Sequence, residues 1–409
     1  MEIEQIIGAL MTPEGRVDPY PLYAAARETG PLTRFKEFPT FLCTGYAEIN
    51  SVLRDNAFGN KRFDTFPEEL RAQLAVEGSM ETFGNSILTT NPPDHRRVRS
   101  LISSAFTQRR IAGLEPAIAR MTDTLLGWLA KVGEDGQTVD FMEEFAFRLP
   151  VTVICELLGV PEQDRYRFRP LAHDLTAALE LKEDFQGLEA ADLATTELRA
   201  YFAELADRRR SEPQDDLVSA LVQVNDAHDG RLSDVELICN LILLLVAGFE
   251  TTTNLLGNGL YLAFEHPEIV DRVRKGEISV AAYVEEVLRY DSPVQLTSRI
   301  AMVDTAVGER QIPEGEEVLL LIGAAHRDPR RFENPDVFNP TRPDNVPLSF
   351  GAGIHYCLGQ GLARLEGQVA FEKLFARFPE IALAGVPTRR DRLVLRGYET
   401  LPVTLGSAA

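Results

Sequence analysis

The 409-residue sequence has only four cysteines, Cys43, Cys155, Cys239 and Cys357, too few and too scattered for a disulfide framework, so a reducing cytoplasm is the expected compartment. Positive charge is also short. Lys and Arg number 42 against 62 Asp and Glu, and the net charge of −20 disfavours the chain as a whole as a binder of nucleic acid or of an anionic membrane. The richest apolar run, Leu237 to Phe249, holds Cys239 and Asn240 and falls short of the roughly 20 apolar residues that cross a bilayer. Near the amino terminus, the run from Ile6 to Met11 follows Glu2 and Glu4 rather than the basic start of a signal peptide, so neither export nor membrane insertion is expected. Gly/Ser-rich or Pro-rich linkers and fixed-period repeats are missing too. A single catalytic unit over residues 1–409 is therefore expected, although length alone allows two or three domains.

What is present is mostly helical periodicity. Apolar residues recur three and four apart in Ile111 to Ala130, Phe145 to Leu158, Leu188 to Leu205 and Ser233 to Phe264. Short strand-like runs lie at Thr40 to Thr44, Ser298 to Val303, Glu317 to Ile322 and Leu393 to Leu395, which makes the fold class mainly α with a minor β region (α+β). Ser233 and Glu236 have the spacing of a capping box ahead of the longest helix, and a polar residue midway along so apolar a helix needs a reason to be there.

Three of the cysteines sit in apolar surroundings and read as small buried hydrophobes. Cys357 differs. It lies in Phe350-Gly351-Ala352-Gly353-Ile354-His355-Tyr356-Cys357-Leu358-Gly359, a glycine-punctuated loop that runs into a helix carrying Leu358, Leu362, Leu365 and Val369. A thiol at a helix start meets free backbone N–H groups and the positive end of the dipole, both of which favour thiolate. Gly351 and Gly353 can take positive φ and wrap the chain around the sulfur, and Gly359 leaves room for a flat ligand.

This loop resembles the haem-ligand loop of the cytochrome P-450 monooxygenases, F-G-x-G-x-H-x-C-x-G, at every fixed position. The resemblance covers nearly the whole chain and points to the soluble bacterial branch. It implies haem b, iron protoporphyrin IX, held between the long central helix and the helix after Cys357, with Cys357 as the axial iron ligand and Phe350, Gly351 and Gly359 beside the haem. Midway along the long helix, Ala247-Gly248-Phe249-Glu250-Thr251-Thr252 is similar to the family's oxygen-activation motif. Ala247 and Gly248 then lie against the cofactor, Gly248 leaves room for dioxygen, and Thr251 and Glu250 are the catalytic pair that delivers protons. Thr252, about 100° further round the helix, is expected to turn away.

Glu286 and Arg289 match the family's E-x-x-R pair, and the resemblance implies Arg342 as the third member of a buried structural network. His95, Arg99, Arg299 and His355 match propionate-binding positions of bacterial members. Five arginines, Arg96, Arg97, Arg99, Arg109 and Arg110, fall between His95 and Arg110 with no acid among them, which suggests a docking patch for an acidic ferredoxin that Arg364 extends. Electrons would come from NAD(P)H through ferredoxin reductase and ferredoxin, to a monomeric enzyme. Family substrate contacts fall here at about Phe63 to Leu88, Leu171 to Leu188, Leu243 to Ala247, Val294 to Thr297 and the turn at Thr400, with Ile87, Leu88, Leu243, Val246, Ala247, Val294, Gln295, Leu296, Thr297 and Thr400 as named candidates. Their apolar or neutral character suits a medium-sized apolar natural product. A haem-binding or gas-sensing protein is the alternative class, and a peroxide-driven peroxygenase another. The intact Glu250-Thr251 pair counts against both.

Overall fold

The computed structural model describes residues 2–36, 38–60, 78–181, 187–227 and 230–406. Its axis is the helix Asp234–Glu265, 32 residues long and buried on almost every side. The capping box forms as the spacing predicts: Glu236 N donates to Ser233 Oγ at 3.2 Å and Ser233 N to Glu236 Oε2 at 2.9 Å. The helix stops at His266, ahead of Pro267, where the ring removes the next donor. By length and composition it would pass for a membrane span, but 67% of its most apolar window is buried inside the protein, which makes it a core helix.

The other predicted helices form around it, as Gln108–Val132, Arg148–Leu158, Glu189–Ser211 and Val280–Tyr290, with Gln360–Arg377 following the cysteine loop. The run expected from Phe145 is split, because a π-helical turn, Met142–Ala146, precedes the α-helix. Gly248 lets the central helix approach Arg148–Leu158 closely: a Cβ there would lie 2.6 Å from Ile154 Cγ1.

One sheet of five strands has the order Leu32–Arg34, Thr40–Cys43, Glu317–Leu321, Leu296–Ala301, Phe58–Gly59. Only the pair Thr40–Cys43 and Glu317–Leu321 runs parallel, in the register Phe41 to Val318 and Cys43 to Leu320. The strand expected at Ser298 begins two residues earlier, at Leu296, and Ile322 opens a short helix instead of ending its strand. Leu393 to Leu395 is no strand: only Leu395 makes a bridge, to Val294. Its backbone donors go elsewhere, to the Glu180 carboxylate.

Behind the central helix, Asp291 is buried and accepts from Arg396 Nε at 2.6 Å, Arg389 Nη2 at 2.9 Å and Tyr20 Oη at 2.8 Å. Burial alone would raise its pKa, but the two guanidinium groups outweigh burial and hold the carboxyl well below its usual value. A folded-state pKa below the unfolded one gives stability that is complete above the unfolded value, about 3.9, and is lost as pH falls below it. Urea unfolding of Asp291→Asn between pH 5 and pH 3 should therefore show a shallower acid slope than wild type, from a starting stability lower by about 3 to 5 kcal/mol. Equal slopes would remove Asp291 from the acid response.

Candidate active site

A cavity of about 590 Å³ lies between the central helix and the cysteine loop. From the loop side it is lined by Phe350, Gly351, His355, Cys357 and Gly359, and from the helix side by Val246, Ala247, Gly248, Glu250, Thr251 and Thr252. The loop is shaped as its glycines predict. Gly351 and Gly353 have φ of 69° and 68°, and a Cβ on Gly353 would lie 2.1 Å from the carbonyl oxygen of Leu53. Cys357 N donates to Phe350 O at 3.0 Å, which closes the loop on itself. Cys357 is exposed and lines the cavity. Desolvation of the thiol raises its pKa above the usual thiol value, while the amides of Gly359 and Gln360 and the charges of Arg99 and Arg364 act in the opposite direction. Helix-start geometry alone therefore does not make the thiolate, and a bound metal cation would complete the bias.

Along one edge of the cavity stand groups that need an anion. Arg299 is buried and among the described residues bonds only Ser298 O at 2.7 Å and Thr297 Oγ1 at 3.4 Å, and burial lowers its pKa to about 10. His355 bonds Asn60 Nδ2 at 3.1 Å. His95 does not reach the cavity wall; its ring packs on His355 at 4.1 Å, and its Nε2 is buried without a partner. Burial, then the nearby arginines, press His95 down to about 4; burial, then His95 and the arginines, press His355 down to about 3. Arg99 lines the cavity and donates to Tyr356 O. No acid among the described residues pairs with any of the four. A flat, doubly anionic ligand carrying a metal at its centre fits this donor set, and haem is such a ligand.

On the opposite wall Thr251 Oγ1 donates to Ala247 O at 3.0 Å, the back-bond expected of it. One expectation fails there: Thr252 does not turn away, but is buried, lines the same cavity and donates to Gly248 O at 3.4 Å. Gly248 lines the cavity too, and its missing side chain also makes room for Ile154. Glu250 is 3% exposed and ion-paired with Arg390 Nη1. Arg390 also reaches His173 Nδ1 at 3.1 Å and Glu399 Oε2 at 3.5 Å.

Glu286 and Arg289 are fully buried and bidentate, at 2.7 and 2.8 Å. Arg289 further donates to the carbonyl oxygens of His326, Pro335 and Val337, and Glu286 accepts from Asn339 N and Asn345 Nδ2. Arg342 stands at 3.7 Å from Glu286 and bonds mainly the carbonyls of Glu333, Asn334 and Val337, so it joins the network as a backbone clamp more than as an ion pair.

Of the substrate candidates, Ile87, Leu88, Leu243, Val246, Ala247, Val294, Leu296 and Thr297 line the cavity. Gln295 does not. Extended backbone sends alternate side chains to opposite faces, and its amide bonds Ser292 O at 2.7 Å on the far side. Thr400 does not either, because it is an exposed strand residue paired with Thr388; the part of that region that reaches the cavity is Val394 and Leu395. The stretch beginning at Phe63 lies outside the described residues up to 77, as does 182–186. The arginine patch is narrower than expected: Arg97 is held by Glu236 at 2.6 Å and Asp94 at 3.0 Å, and Arg364 by Glu285, which leaves Arg96, Arg109 and Arg110 exposed. Three cavity carboxyls, Glu180, Glu317 and Glu366, were not named as site residues from the sequence. Glu366 is buried with Oε2 unpartnered, and burial pushes its pKa well above the usual value. Its place among Leu362, Leu365 and Val369 was the available signal. Glu180 gave none.

The family model for cytochrome P450 matches residues 61–388. The chain belongs to the cytochrome P450 family. It is 40% identical to 6-deoxyerythronolide B hydroxylase of Saccharopolyspora erythraea, over 95% of this chain and 96% of that protein. To the polyketide biosynthesis cytochrome P450 PksS of Bacillus subtilis it is 37% identical, again over 95% and 96%. Among solved structures, a Mycobacterium smegmatis cytochrome P450 with econazole bound superposes with a TM-score of 0.89 at 37% identity, covering 98% of this chain and 99% of that one. P450BioI in complex with a fatty-acid-ligated acyl carrier protein superposes at 0.87 and 36%, covering 96% and 100%. The cytochrome P450 fold, haem-based monooxygenase chemistry with dioxygen, and dependence on a redox partner come with membership.

Proposed function

We propose that this cytochrome P450 hydroxylates or otherwise oxidatively tailors an apolar, medium-sized small molecule of secondary metabolism, as a single catalytic unit in the cytoplasm. The observation that carries the reading is one cavity with Cys357 on one wall, Thr251 and the buried Glu250 on the other, and aliphatic side chains over most of the remainder. Haem b bound there supplies oxygen activation. Cys357 Sγ holds the iron, with the Gly359 and Gln360 amides directed at the sulfur, while Arg99, Arg299 and His355, with His95 behind it, hold the propionates. Gly351 and Gly359 keep side-chain bulk away from the ring. Thr251 Oγ1 donates its own proton to Ala247 O and keeps its lone pairs to accept a hydrogen bond in the cavity, and Glu250 is the acid behind it. Leu243, Val246, Val294 and Leu296 exclude water and orient the substrate through shape. Relatives named 6-deoxyerythronolide B hydroxylase and polyketide biosynthesis cytochrome P450 support a natural-product substrate.

Electrons arrive from NAD(P)H by way of a ferredoxin reductase and a ferredoxin that docks at Arg96, Arg109 and Arg110. The reduced protein with carbon monoxide should give the strongly red-shifted Soret band of a thiolate ligand, and a polyketide and terpenoid panel should contain compounds that shift the iron spin state. A histidine-like Soret band from folded protein would refute the Cys357 assignment; a panel in which only polar or charged compounds shift the spin state would refute the apolar substrate.

A further inference from the structure

Glu180 follows the short 3-10 turn Ala177–Leu179 and lines the cavity together with Thr176, Leu179 and Leu181. Its Oε2 accepts from Leu393 N at 2.7 Å and Val394 N at 2.9 Å, and its Oε1 from Leu395 N at 3.2 Å. Three consecutive main-chain donors thus converge on one carboxylate. Such bonds are stronger than their neutral counterparts, and a carboxylate has about four acceptor positions to offer. On its other side the segment is bonded to residues 293–295: Gln295 N donates to Val394 O at 2.9 Å and Arg396 N to Pro293 O at 2.8 Å. Glu180 therefore takes the place of a neighbouring strand, which is why a run with strand composition forms none. Leu393 anchors in the apolar cluster that holds Tyr23 and Leu321, while Val394 and Leu395 face the cavity.

Beyond Glu180 lies a second, polar cavity of about 130 Å³ that includes Arg16 and Arg392. Their guanidinium groups are engaged with Asp391 and with His173 O, and neither bonds Glu180.

We infer that Glu180 is the positioning residue for substrate size: its carboxylate pins the 393–395 segment and so sets how far Val394 and Leu395 reach into the cavity. This rests on the reading of the cavity as an apolar substrate pocket. Without the carboxylate, three main-chain donors would be left against an apolar space, and the segment must shift or admit water to satisfy them.

The test uses the haem-loaded protein and 1-alkylimidazoles from 1-butyl to 1-dodecyl, whose nitrogen binds the iron while the chain probes the cavity. In wild type, affinity should rise about threefold to fourfold per methylene until the chain meets the wall and then level off. In Glu180→Ala the break should move to longer chains by about two carbons, with imidazole itself bound as in wild type. Amide hydrogen exchange of a peptide covering 393–395 should speed up about tenfold or more. Glu180→Gln, which keeps one acceptor but turns two donors toward the main chain, should move both readings the same way by less, and it decides the matter if the Ala variant fails to take up haem.

An unchanged break in chain length overturns the inference, even if exchange rises, because Glu180 would then be merely structural. If wild-type affinity gains nothing with chain length while exchange at 393–395 still responds to Glu180, the apolar-pocket reading is what fails.

Discussion

Arg289→Ala should give almost no soluble haem-loaded protein. Both charges of the Glu286–Arg289 pair are fully buried, and the guanidinium also satisfies three carbonyl oxygens on the stretch from His326 to Val337. Taking it away leaves a buried carboxylate and three orphaned acceptors, a loss of about 3 to 5 kcal/mol for the ion pair alone. A domain of ordinary stability has about 5 to 15 kcal/mol in total, so the variant sits at or past the edge of folding. Glu286→Ala should fail similarly, since Asn339 N and Asn345 Nδ2 lose their acceptor along with Arg289. Arg342→Ala should be milder: at 3.7 Å its charge is only loosely coupled to Glu286. Haem per chain and recovered soluble protein are the measurements. Wild-type loading in Arg289→Ala would show that the pair carries no fold-critical load.

The burial of the Glu286–Arg289 pair and the part of Arg342 came from the family resemblance, whereas the pairing itself was legible because residues three apart on a helix share a face whatever the rest of the chain does. The same holds for the capping box at Ser233 and for the glycines of the cysteine loop, whose positive φ values are properties of single residues. What stayed hidden depends on which faces meet. Glu250 finds Arg390 from 140 residues away, and nothing near either residue announces the pair. Gly248 reads in sequence as space for a ligand or for another helix, and that Ile154 is the side chain packed against it follows only from which helices meet. Leu393 to Leu395 has the composition of a strand, yet strand formation needs a ladder partner, and a carboxylate took that role. Arg97 and Arg364 were counted as free charge because Glu236 and Glu285 lie on other helices, although Asp94, three residues before Arg97 on its own helix, was in view.

Thr251→Ala should keep consuming reduced nicotinamide at near the wild-type rate while product formation falls about a hundredfold or more, the consumed equivalents appearing as hydrogen peroxide. Oxygen activation needs protons delivered inside a cavity whose walls are mostly aliphatic, and bulk water there would discharge the reaction unproductively. Thr251 lines that cavity, and its Oγ1, whose own proton goes to Ala247 O at 3.0 Å, keeps lone pairs that can receive a hydrogen bond there and hold the proton donor in place. Glu250, one residue earlier, is buried and paired with Arg390, which also reaches Glu399, whose side chain is 45% exposed, so the acid behind the hydroxyl stands at the inner end of a chain of charges that extends to solvent.

Thr252 is the control that separates placement from bulk: it lines the same cavity, but its hydroxyl is buried and turned back to Gly248 O. Thr252→Ala should hold coupling near wild type, and Thr251→Ser should restore most of what Thr251→Ala loses, since it returns the hydroxyl without the methyl. Product, peroxide and nicotinamide are followed side by side with a compound from the panel that shifts the spin state. Full coupling in Thr251→Ala, or loss of coupling confined to Thr252→Ala, would move the proton-delivering hydroxyl one residue along the helix.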